Sequence, residues 1–416
     1  MPDLLEMRFT GPSDTTRSHL VFLALAASVA GSLVSIAASE ILLAFALAGA
    51  VVFLKPRSSF FRPLRPLLLI LLLFFFWTIL AALASDDIPL GLTIAKKFFI
   101  FLLFLLVPLV ARGGERITWI YRAVFAAAVV SSLAGLLQFI NNPGRDLLHR
   151  ISGFMSQWMT YSGLLMLTLV ALAAYCVCVG WRRQWWVFPA GTVMFAAILL
   201  SQTRSAMLGM IAGLFVVLLL SRPRAAILLL ALVPVAFLLS PPLIRQRFSS
   251  GWHAADPNTR NRIELMETSF RLIRDNPWFG VGPKNVSREA PRYRGSSEYP
   301  DWMYQHMHNN ALQLAAERGI PGLLLWLWFM IRLAWDAWRL FVRFRRRPES
   351  REALMAATAA LGGWTALMIS GVFEYNFGDS EILILFLFIA AAPYAFPEGA
   401  GGAALAAGEV AAPGGA

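Results

Sequence analysis

Leu67-Leu68-Leu69-Ile70-Leu71-Leu72-Leu73-Phe74-Phe75-Phe76-Trp77-Thr78-Ile79-Leu80-Ala81-Ala82-Leu83 carries no charge from end to end. A helix rises about 1.5 Å per residue, so a run of this length crosses most of the roughly 30 Å hydrocarbon layer of a bilayer. Residues 98–110 and 322–331 are likewise uncharged, and 117–140 is an apolar run interrupted by the single charge of Arg122. Over the whole chain 58% of residues are hydrophobic and 14% charged, with a mean hydropathy of +0.63. No soluble domain of this length could hide that much apolar surface. The fold class is therefore an all-α polytopic membrane protein.

Apolar segments at 19–38, 40–54, 64–84, 90–111, 117–140, 158–179, 186–200, 205–220, 225–240, 319–341, 353–373 and 379–396 predict about twelve transmembrane helices. An even number puts both termini on one side. Alternate short connections carry Lys55, Arg57, Arg62 and Arg65, then Arg112 and Arg116, Arg182 and Arg183, Arg222 and Arg224, and Arg343 to Arg351. The short connections on the opposite side carry only Arg145, Arg150 and Arg204. By the positive-inside rule both termini are cytoplasmic and the long interruption at 241–318 lies outside. The chain divides into a cytoplasmic stretch 1–18, nine helices over 19–240, a large periplasmic loop 241–318, three helices over 319–396 and a disordered cytoplasmic tail at 397–416 rich in Gly and Ala.

The net charge of +12 follows from this asymmetry and from contact with anionic membrane lipids, which argues against a nucleic-acid partner. The apolar stretch after Arg17 outruns a secretory h-region and shows no cleavage site, so the first helix is expected to stay. Cys176 and Cys178 stand two apart within one span, point to different faces and indicate neither a disulfide nor a metal.

Within the long loop, Ile263, Met266, Phe270 and Ile273 recur at spacings of three and four behind Asn258 or Thr259 as cap. They predict an amphipathic helix lying on the bilayer, with Arg260, Arg262, Glu264, Glu267, Arg271 and Arg274 on its polar side. Trp278 to Pro283 reads as an aromatic anchor and tight turns. A second helix is expected from Pro300-Asp301 to Arg318. On it His306 and His308 would diverge and could not share an ion, with Asn309-Asn310 beside them able to orient an imidazole.

Between two spans, Gln202-Thr203-Arg204-Ser205 puts a guanidinium at the outer interface, where it either snorkels or faces an anion-holding cavity. Arg204, Arg260 and Arg262 could clamp a diphosphate through forked hydrogen bonds, with Arg145 and Arg150 as weaker candidates. Gln138 is expected to pack, and Asp86-Asp87 to cap a helix in preference to holding a metal. Glu374 and Asp379 to Glu381 could join a cavity rim.

Ser201 to Ser205, Arg262, Asp275 to Gly282, His308-Asn309 and Glu317-Arg318-Gly319-Ile320-Pro321-Gly322 resemble, in that order, the O-antigen ligase and O-antigen polymerase superfamily. The resemblance covers about the second half of the chain and implies a GT-C-like membrane glycosyltransferase with a periplasmic cavity. It implies a bacterial inner-membrane enzyme that moves a glycan from undecaprenyl pyrophosphate to an acceptor, in ligases the outer-core sugar of lipid A-core. It maps the diphosphate-holding arginines onto Arg204 and Arg262, with Arg260 as rival, and the histidine onto His308; His306, Asn309 and Gln202 would support them. A neutral His308 would act as general base in an inverting displacement that needs no metal and no cofactor. The polymerase, acting on undecaprenyl-linked repeats, is the alternative. A transporter for a lipid-linked anion is a third reading, though no paired repeats appear in the sequence.

Overall fold

The computed structural model describes residues 12–54, 58–142, 150–180, 184–239, 245, 257–295, 299–347 and 350–396. Arg145, His149 and His253, and the tail at 397–416, lie outside them. The apolar runs form helices α1 (Pro12–Gly31), α2 (Ile36–Phe53), α3 (Arg65–Leu83), α4 (Ile88–Val110), α5 (Gly114–Asn141), α6 (Trp158–Val179), α7 (Val187–Ser201), α8 (Arg204–Ser221) and α9 (Pro223–Leu239). After the long loop, with its helix α10 (Pro257–Asp275), come α11 (Asn310–Phe344), α12 (Arg351–Ser370) and α13 (Ser380–Ala391).

Eight of these helices are long and apolar enough to cross a membrane. Four more apolar helices, Thr16–Gly31, Val187–Ser201, Pro223–Leu239 and Ser380–Ala395, are shorter. The chain is a multi-pass, all-helical membrane protein. Helix α4 is not uniform: Thr93–Leu102 winds as a 3₁₀ helix carrying Lys96 and Lys97. Such mid-helix tightening marks local strain or function. Lys97 Nζ reaches the Gly378 carbonyl at 2.6 Å.

At the centre α6, α8 and α12 approach closely because glycines face one another. A Cβ on Gly209 would lie 2.6 Å from the Ala366 carbonyl and 3.0 Å from Ser370 Cβ, and one on Gly213 would lie 2.8 Å from the Gly362 carbonyl. Small residues substitute here for the hydrophobic effect that lipid does not supply. The peripheral α2 is only 22% buried, against 72% for α6 and α12. Its exposed Phe45, Val51 and Val52 are the surface a bilayer would cover.

The antiparallel register of α8 and α12 brings Arg204 to the same end as Ser370. Several polar connections meet at that end. Gly282 packs on Ser85, Arg288 pairs with Asp87, Thr160 Oγ1 donates to Asp379 at 2.9 Å, and the Asn310 amide donates to the Gly371 carbonyl at 2.7 Å. These contacts gather the 85–87, 282–288, 310 and 371–379 segments at one end of the bundle. At the other end the Gly113 amide meets the Ala395 carbonyl.

The long loop has a core of its own, built from Leu265, Leu272, Val281, Val286, Met303, Tyr304, Met307 and Ala316. Helix α10 appears where it was expected, but with two apolar rows. Leu265 and Leu272 face this core, while Ile263, Met266 and Phe270 stay exposed beside the exposed Trp278. Glu264, expected on the solvated side, is buried and accepts from Tyr304 Oη at 3.0 Å and the Gly295 amide at 2.7 Å. An acid on the helix's inner edge can be buried because these donors replace its water.

Candidate active site

The expected helix from Pro300 to Arg318 does not form as one piece. A short 3₁₀ turn covers Asp301–Gln305. His306 is extended at φ −158°, and His308 takes a left-handed φ of +45°. Only at Asn310 does α11 begin, capped by Asn309, whose Oδ1 accepts from the Leu312 amide at 2.9 Å. This corrects the expected divergence of the two histidines: the rings stand 4.2 Å apart, centroid to centroid. A helix places residues two apart on different faces, whereas this irregular segment turns both imidazoles one way.

What they turn toward is Glu374, in the 371–379 connection after α12. Asn309 Nδ2 donates to the Val372 carbonyl at 2.9 Å, so Asn309 binds the partner loop and does not orient an imidazole. Asn310 donates to Asn376 Oδ1 at 2.9 Å and accepts from the Phe377 amide at 3.0 Å. Asn376 in turn donates to Ser370 Oγ at 3.1 Å. This amide ladder presses the two loops together. His308 Nδ1 consequently lies 3.1 and 3.2 Å from the two Glu374 oxygens.

Burial by itself would raise the Glu374 carboxyl, but the His308 hydrogen bond and the charges of His308, His306 and Arg262 hold it below the usual carboxylate range. Glu374 is therefore ionised at neutral pH, and its contact favours the tautomer with the proton on His308 Nδ1. Nε2 is then the basic nitrogen. Burial and the neighbouring His308 push His306 down to about 4, against the pull of Glu374. About a third of that side chain is open, yet its Nδ1 is buried and has no hydrogen-bond partner among the described residues.

Arg262, half-buried on α10, belongs to the same electrostatic neighbourhood, since its charge acts on Glu374. Arg260, two residues earlier and on a different face of the helix, is exposed. Arg204, half-buried, opens α8 at this end. The turn before it depends on Gln202 in a left-handed conformation, φ +53°. Ser201, Thr203 and Ser205 are buried, and Ser201 Oγ bonds the Ile198 carbonyl, so this polar cluster packs inward. Arg150 stacks its guanidinium 5.0 Å from the Trp158 ring centre. Gln138 pins the 152–153 backbone, and Asp87 caps α4 through the Leu90 amide, both as expected.

The Glu317-Arg318-Gly319 motif is structural. Glu317 and Arg318 form a buried ion pair; Arg318 Nε also donates to Thr78 Oγ1 of α3, and the Trp77 indole of α3 donates to the Arg318 carbonyl. Glu317 accepts from Gln313, which holds the Met307 amide at 2.8 Å. The pair fixes the start of α11 and, through Gln313, the histidine segment before it.

His306, His308 and Glu374 offer ligand atoms all within 4.8 Å of one another and are the described residues placed to hold a divalent ion. Two residues of this end carried no special signal in sequence. Lys97 sat inside a run read as a plain span, and Glu374 was only a candidate rim acid. An acid in the short connection between two spans of so apolar a chain, with Asp379 and Glu381 close behind it, is the signal that ranks Glu374 higher.

An all-helical, multi-pass bundle with a polar site at one end is the architecture into which the comparisons fall. Residues 189–327 match the family model described as O-antigen ligase. That stretch holds Arg204, Arg260, Arg262 and His308, so the family resemblance read from the motifs stands; Glu374 and Lys97 lie beyond it. No curated protein matches the chain.

Proposed function

We propose that the protein is a membrane glycosyltransferase that moves a glycan from undecaprenyl pyrophosphate to a sugar hydroxyl of lipid A-core. The observation that carries this reading is the Nδ1 contact of His308 with an ionised Glu374, within reach of the Arg262 charge. In this reading His308 Nε2 takes the acceptor hydroxyl's proton as its oxygen attacks the anomeric carbon from the face opposite the diphosphate. The C1–oxygen bond to the diphosphate breaks, and the configuration inverts. Arg204 with Arg262, or with its rival Arg260, neutralises the charge gathering on the leaving group, so no general acid is needed there. Glu374 positions the imidazole and stabilises the imidazolium that forms. Gln202, His306, Asn309, Arg145 and Arg150 have supporting roles. Twelve spans, a GT-C-like arrangement, cytoplasmic termini and a periplasmic site in the bacterial inner membrane complete the proposal.

The reaction is proposed to run without a metal. Wild-type enzyme should keep full transfer after exhaustive chelation. Activity restored only by an added divalent ion would move His306, His308 and Glu374 from base and relay to ligands. His308→Ala should lower transfer by about 10²–10⁴-fold while lipid-linked donor still binds. Transfer at the wild-type rate would remove the base assignment. Product analysis separates ligase from polymerase: polymer accumulating on the undecaprenyl carrier in a deletion strain marks a ligase, and its absence marks a polymerase. The interrupted α4 keeps a lipid-linked glycan transporter as second reading. Such a protein would move donor across the bilayer unimpaired by His308→Ala.

A further inference from the structure

At the end of the bundle opposite His308, a half-open cavity of about 430 Å³ is lined by Arg222, Arg345, Arg347 and Arg351. They come from two connections, α8–α9 and α11–α12, that lie far apart in sequence. Among the described residues no acid lines the cavity and none of the four side chains forms an ion pair. Four arginines line this one concavity, Arg347 half-buried and Arg222, Arg345 and Arg351 exposed at its rim, and an anion entering it would relieve the repulsion among their like charges. Its other walls are apolar or nearly so: Val177, Leu220, Phe341 and Leu354 stand beside Ser221 and Cys178.

Topology explains why arginines accumulate at this end but not why four of them share one hollow. The positive-inside rule requires basic residues in the connections and is indifferent to whether their side chains converge. Convergence beside apolar helix ends is the pattern of a basic pocket between transmembrane helices that takes a phosphate head group while the acyl chains follow the helices.

We propose that this cavity is a binding site for a phosphate-bearing lipid head group, independent of the transfer site. Arg222 and Arg347, on opposite connections, would grip the phosphate from two sides and so lock the α8–α9 turn to the α11–α12 turn. A soluble phosphate could satisfy the same guanidinium groups, but the apolar walls favour the lipid-borne form.

Full-length protein in phosphatidylcholine nanodiscs doped with cardiolipin, analysed by native mass spectrometry, tests the site. Wild type should retain cardiolipin over phosphatidylcholine, and Arg222→Gln/Arg347→Gln should lose that retention by about tenfold or more. Arg222→Lys/Arg347→Lys should keep most of it and, if the Gln pair does not fold, carries the comparison with Arg351→Gln. Melting in undoped nanodiscs reports whether each variant folds. Retention that inorganic phosphate competes away supports the arginine site with a soluble ligand, and retention that resists it supports the lipid. Cardiolipin held equally by wild type and a folded Gln variant overturns the proposal. None of these readouts involves glycan transfer, so failure of the transferase reading would leave this result standing.

Discussion

At the scale of single residues, the decisive contact is between His308 and Glu374. In the proposed mechanism, Glu374→Gln leaves the shape but loses the charge that would fix the tautomer and stabilise the imidazolium. Comparable supporting contacts are worth about 10–100-fold, and a drop of that size in kcat with little change in KM is expected. Steady-state kinetics on reconstituted donor and acceptor check it; a change in KM alone would mean that Glu374 binds substrate. His306 predicts a pH effect on stability. Its folded pKa of about 4 lies below the ordinary 6.5, so between those values the unfolded chain holds a proton that the folded site refuses. Stability should fall as pH drops from 6.5 toward 4. Glu374, depressed from its ordinary 4.5, adds a loss of the same sign below that value. Melting midpoints across this range should decline less steeply for His306→Asn, and parallel curves for the two proteins would refute the assignment.

Among the elements, α11 depends on its break. Gly319 adopts φ +68° and ψ −179° within the helix, a region open essentially to glycine alone. A Cβ there would stand 2.0 Å from the Trp278 carbonyl oxygen. Gly319→Ala should therefore cost at least about 1–3 kcal/mol in strain, before the clash is relieved. Relief would move α11 away from the 277–280 turn and disturb Gln313 and the histidine segment that it holds. A lowered melting midpoint together with lost transfer is expected, and a variant as stable as wild type would mean that the chain relaxes there cheaply. The sequence flagged this motif but not its purpose. The amphipathic row of α10 was legible because helical periodicity is local, whereas burial of Glu264 depended on Tyr304 and Gly295, which no local pattern brings near.

For the whole molecule, the prediction is one of sidedness. The site end and the arginine-rich end are opposite, and the charge asymmetry predicts that the second faces the cytoplasm. With Cys176 and Cys178 replaced, Arg274→Cys should react with an impermeant maleimide in intact spheroplasts. Arg346→Cys should react only after the membrane is opened. The reverse labelling would invert the topology and leave a periplasmic glycan transfer with no access to the site.

Composition and hydrophobic runs alone determined that this is a helical, multi-pass membrane protein, and the pattern of its runs marks out most of its helices. Lipid imposes those patterns span by span, so they are written locally. Tertiary structure decided that His306 and His308 converge, that a glutamate 66 residues beyond His308 completes the site, and that four arginines from separate turns meet around one cavity. Each of these rests on loops packed against loops, where no periodicity exists to be read and the closing contacts are amides and charges distant in the chain.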